Sequence, residues 1–184
     1  MAPTRETAVR DTQRWLERAV IGLNLCPFAK AVHVKGLVHC AVSEALDARA
    51  VVDDVAVELE ALAQVDPSVR ETTLLIVPHC LHDFLEFNDV VHRAERLVRK
   101  RGMEGVMQVA SFHPHYRFEG TEEDDITNFT NRSPYPVVHL LREDSISRAV
   151  AAFPDARAIY EANMDTMRRI GHEGWHALGA GPSQ

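Results

Sequence analysis

The sequence predicts an α/β fold: one domain over residues 1–184, with a mixed, mostly parallel sheet of about four strands flanked by helices. Three observations carry that expectation. Two short apolar runs, 73–77 (TLLIV) and 106–112 (VMQVASF), have the composition of strands covered on both faces. Stretches with apolar residues at three- and four-residue spacing alternate with them. The lengths between them suit right-handed crossovers joining parallel strands.

Taken in order, residues 5–24 read as a helix through Val9, Thr12, Leu16, Ala19 and Leu23, stopped near Asn24 because Pro27 disfavours helical geometry at Cys26. From 32 to 42 the period becomes two. Val32, Val34, Val38, Cys40 and Val42 would share one strand face, with Gly36 a bulge. Ser43 or Asp47 caps a second helix with Val51, Val55, Leu59 and Leu62 inward. A third helix runs over about 81–101, and its basic end before Gly102 suits a carboxyl terminus. Residues 137–141 supply a fourth strand, antiparallel to its neighbour. Asp144 or Ser145 starts a short helix; Pro154 opens another that Gly171 ends. Residues 175–184 read as a loose tail.

Bulk properties narrow the function classes. A net charge of −7 argues against a non-specific nucleic-acid binder. No apolar run is long enough to span a membrane and the start lacks a signal-peptide core, so a cytoplasmic protein is expected. Three widely spaced cysteines are neither a disulfide framework nor a metal knuckle. Phosphate-binding and dinucleotide glycine motifs are missing, so no nucleotide cofactor is expected. The serine-hydrolase elbow and the HExxH motif are missing too.

The chemistry-bearing residues concentrate in 111–143, SFHPHYRFEGTEEDDITNFTNRSPYPVVHLLRE. A connection this long inside a small domain points to function or disorder, and its aromatics argue for order. In an extended backbone, His113 and His115 point the same way. With Asp125 and His139 they would make a zinc or iron site with an open position; the alternative is that they brace the loop. Asn128, Asn131, Arg132 and Ser133 would grip a small anionic substrate, or instead cap their own turns. Cys26 would become a nucleophile if a helical turn starts at Pro27, and would otherwise be a packed thiol.

NLCPFA (24–29), ASFHP (110–114), TNRSPYP (130–136) and HLLRE (139–143) together resemble the bacterial and plant family catalogued as domain of unknown function 1415. The resemblance implies that the Cys-Pro corner and the His-Pro and Asn-Arg-Ser-Pro segments form one signature, and it supplies no activity. The first functional reading is metal-assisted hydrolysis of a small anionic molecule, with His113 and His115 as ligands or acid–base groups. A thiol enzyme using Cys26 is the second, and a non-catalytic ligand-binding or interaction module is the rival class.

Overall fold

The computed structural model describes residues 3–152 and 156–183. Helix α1 (Arg5–Trp15) starts on the Thr4 hydroxyl, which accepts from the Thr7 amide. It continues as a wider π turn, Leu16–Ile21, in which the Gly22 amide reaches back five residues to the Glu17 carbonyl. A Cβ at Gly22 would collide with the Arg18 carbonyl oxygen, so glycine is required for the tight wrap. The chain turns at Asn24 (φ 53°), a residue type that tolerates the left-handed region.

Residues 32–34, expected in a strand, lie instead in a short helix, α2 (Ala29–Val34). Valines two apart imitate a strand period, but Val32 faces inward and Val34 is 74% exposed, so the two do not share a face. Gly36 (φ 70°) makes the turn between α2 and β1 (Val38–Val42) rather than a bulge. Helix α3 (Ala48–Gln64) is capped by Asp47, whose carboxylate accepts from the amides of Arg49 and Ala50, each at 2.9 Å. Then follow β2 (Thr72–Ile76), α4 (Phe84–Lys100), capped by Asp83, and β3 (Met107–Phe112). The central segment holds a 3-10 helix (Ile126–Asn131) before β4 (Val137–Arg142), α5 (Glu143–Ala152) and α6 (Ala156–Ala177). Gly171 (φ 60°) breaks α6, where a helix end was expected, and helix resumes beyond it. The expectation for Pro154 lies outside the described residues.

The sheet is mixed rather than mostly parallel. Its order is β1-β2-β4-β3: β1 and β2 are parallel, and β4 is antiparallel to both β2 and β3. The expected antiparallel fourth strand therefore enters the middle of the sheet. It separates β2 from β3, which point the same way without pairing. One face packs α3 and α4 over Ala41, Leu75, Val138 and Leu140, with Val51, Val55, Leu59, Leu62 and Phe87 fully buried. Burying each such side chain stabilises the fold by roughly 1.5–3 kcal/mol. The other face carries Val42, Leu74, Ile76 and Val137, and packs against Ala8 and Tyr135.

The tail is held rather than loose. Ser183 donates from its amide (2.8 Å) and hydroxyl (2.5 Å) to Asp11, and Arg14 donates to the carbonyls of Gly179 and Gly181. Asp11 is fully buried and also accepts from Arg14 (2.9 Å) and the Tyr135 hydroxyl (2.8 Å). Burial alone would raise its pKa, but these hydrogen bonds and the Arg14 charge bring it below the ordinary value.

Candidate functional site

Because β1, β2 and β3 run the same way, their carboxyl ends gather at one edge. There His113 meets the loop that follows β2. The His113 ring is fully buried between Phe84 and Phe87, and Nε2 lies 3.0 Å from the Leu81 carbonyl oxygen. Nδ1 accepts from the His115 amide at 3.0 Å. An acceptor at Nδ1 requires a neutral ring with its proton on Nε2, donated to Leu81. Burial agrees, pushing the His113 pKa down to about 4. Leu81 itself sits at φ 59°, a costly conformation for its side chain, so His113 steadies a strained residue.

The donor set expected for a metal does not fit one. Both His113 nitrogens are committed to backbone. His139 pairs with Leu74 and Ala110 in register and so belongs to the opposite face of the sheet. Asp125 caps the 3-10 helix, accepting from the Thr127 amide and hydroxyl, which lower its pKa. His115 is exposed. Among the described residues no three His, Cys, Asp or Glu side chains converge where they could hold an ion.

The expected substrate-binding residues are spent on the loop itself. Asn128 is fully buried: Oδ1 accepts from the Phe118 amide (2.9 Å) and Thr121 hydroxyl (2.8 Å), and Nδ2 donates to the Glu122 carbonyl (2.7 Å). Arg132 stacks its guanidinium 4.1 Å from the Phe129 ring centre and donates to the carbonyls of Tyr116 and Glu123. Its own carbonyl accepts from the Trp15 indole at 2.8 Å. The Asn131 carbonyl accepts from the His113 amide, and the buried Ser133 hydroxyl donates to the Tyr135 carbonyl. Phe129 then packs on His172 and Trp175 of α6. The segment is a self-closed brace between α1, α6 and the strand ends.

A different feature brings two of the singled-out residues together. On the α1 face of the sheet lies a cavity of about 290 Å³. Its walls are Leu16 of the π turn, Cys26, Phe28, Ala29 and Val32 of the corner, Val38 and Leu74 of the sheet, and Ile146, Ala149 and Val150 of α5. Cys26 and His139 both line it, with Thr72 beside them. The His139 Nε2 is 2.6 Å from the Thr72 hydroxyl, which is 2.7 Å from the Leu140 carbonyl oxygen. Burial pushes the His139 pKa down to about 4, so the ring is neutral near pH 7. At the rim, Arg142 donates to the carbonyls of Leu62, Val65 and Arg70, and Glu71 pairs with Arg148 at 3.3 Å. Sequence reasoning singled out Cys26 and His139 but missed that α5 and the π turn enclose them. The apolar period of 146, 149 and 150 was the available signal.

No helix among the described residues is long and apolar enough to cross a membrane. A family model described as protein of unknown function (DUF1415) matches residues 7–177, in agreement with the motif resemblance. No curated protein and no solved structure matches the chain.

Proposed function

The chain belongs to the DUF1415 family, whose description assigns no activity, and we propose that it binds a small, largely apolar molecule in the cavity beneath α5. The single observation that supports this reading is the cavity itself. At about 290 Å³ it sits near the lower end of the ~300–1,000 Å³ range of ligand pockets, with apolar walls and few polar groups. Apolar cavities of only about 150 Å³ take up benzene, so a bicyclic molecule matches this one.

The test is a panel of phenols, indoles, short alcohols and esters, read by thermal shift and ligand-observed NMR. At least one class should raise the melting temperature of the native chain. Ala149→Trp, which puts an indole into the cavity, should abolish that rise while leaving the far-UV spectrum unchanged. Silence across the panel, or equal binding by Ala149→Trp, sinks the proposal.

Cys26 and a neutral histidine in one cavity favour a second reading, a thiol reaction on the bound molecule. Mass spectrometry after incubation with iodoacetamide checks it: Cys26 should be alkylated before Cys40, and a bound apolar ligand should protect it. Labelling of Cys26 that no cavity ligand slows argues against this version.

A further inference from the structure

Two short contacts at the cavity wall fix which nitrogen of His139 carries the proton. The Leu140 carbonyl can only accept, so the Thr72 hydroxyl, 2.7 Å away, donates its one proton there. The same oxygen lies 2.6 Å from the His139 Nε2 and must accept from it. This is the one arrangement in which both contacts are hydrogen bonds. It puts the proton on Nε2 and leaves a lone pair on Nδ1. That nitrogen has no hydrogen-bond partner among the described residues, yet it is not among the buried unpartnered atoms, and the ring lines the cavity. Of the other polar side chains at the wall, Arg142 donates to three carbonyls, and Glu71 and Ser145 accept from Arg148 at the rim. The Arg142 Nε is unpartnered but sealed off by its neighbours.

We infer that the cavity selects molecules carrying one hydroxyl on an apolar frame, with the Leu140–Thr72–His139 relay presenting Nδ1 as the acceptor for that hydroxyl. Thr72 is a positioning residue: it sets the tautomer of the ring that meets the ligand. The neutral ring keeps its acceptor from alkaline pH down to about pH 5, because burial holds its pKa near 4. The inference rests on the cavity being a ligand site.

The matched probes are 1-naphthol and 1-methoxynaphthalene, which differ in the donor alone. Calorimetry on the full chain should give naphthol the tighter binding, by on the order of fivefold, the effect of one net hydrogen bond. Thr72→Val removes the relay and lets the proton move to Nδ1. The preference should then fall to near unity while the ether binds as before. Nitrogen NMR of the native protein supplies the second readout: His139 should show the Nε2–H tautomer, which Thr72→Val should disturb. Equal binding of both probes by the native chain overturns the inference and leaves the cavity reading standing. Binding of neither probe overturns both. A preference that survives in folded Thr72→Val, or an Nδ1–H signature in the native protein, overturns the relay. Should Thr72→Val fail to fold, the native tautomer and the probe pair still decide.

Discussion

Acidification tests the buried imidazoles most directly. The His113 pKa is about 4 in the fold against an ordinary 6.5. The folded value lies below the unfolded one, so between the two the unfolded chain binds a proton that the folded chain refuses. Stability that is complete above about pH 6.5 is therefore lost as the pH falls toward 4. The full gap corresponds to roughly 3 kcal/mol, most of which has gone by around pH 4.5. His139 shifts the same way and adds to the loss. The carboxylates of Asp11 and Asp125 are held below their ordinary 3.8, so their contributions disappear only at lower pH and leave this window to the histidines. Against a total stability of about 5–15 kcal/mol, the effect is large. Urea unfolding followed by circular dichroism at several pH values measures it, with His113→Gln as the control. The glutamine amide can accept from the His115 amide and donate to Leu81 without titrating. Its stability should fall by roughly 2–3 kcal/mol less than that of the native chain between pH 7 and pH 4.5. Parallel curves for the two proteins would refute the assignment of His113 as a neutral structural bridge.

Other consequences are as accessible. Asp11→Ala leaves the buried Tyr135 hydroxyl and the Ser183 amide without their acceptor and should cost about 3 kcal/mol by denaturant unfolding, with early proteolysis of the tail. Asn128→Ala removes three hydrogen bonds from a fully buried side chain. It should lower stability by about 2 kcal/mol and unmask the Phe118 amide in hydrogen exchange. Burial pushes the Cys40 thiol up to about 11, so at pH 8 it should be the slowest cysteine to react with a disulfide reagent.

Periodicity located α3, α4, β2 and β3 because each carries a strong local pattern that packing reinforces. The arrangement of the strands was not legible. Nothing in 137–142 says that it enters between β2 and β3, and the register of that pairing, with Ala110 opposite His139, is what sets His139 and His113 on opposite faces. The polar residues of 111–135 misled for a related reason. Asn, Arg and Ser have the same composition whether they grip a ligand or close their own turns, and only the fold reveals that Asn128 spends its Oδ1 and Nδ2 on its own loop. Cys26 and His139 were named from the sequence, yet they share a cavity only because its walls come from segments more than a hundred positions apart.

The late arrival of β4 has a cost during synthesis. Until residues 137–142 emerge from the ribosome, β3 has no neighbour to bond with and the inner edge of β2 stays bare. A nascent or truncated chain ending before that point would present two apolar, unpaired strand edges, the kind of surface that recruits other chains into aggregates. Fragments stopping near residue 130 should therefore accumulate as inclusion bodies, whereas those that reach past 142 can close the sheet.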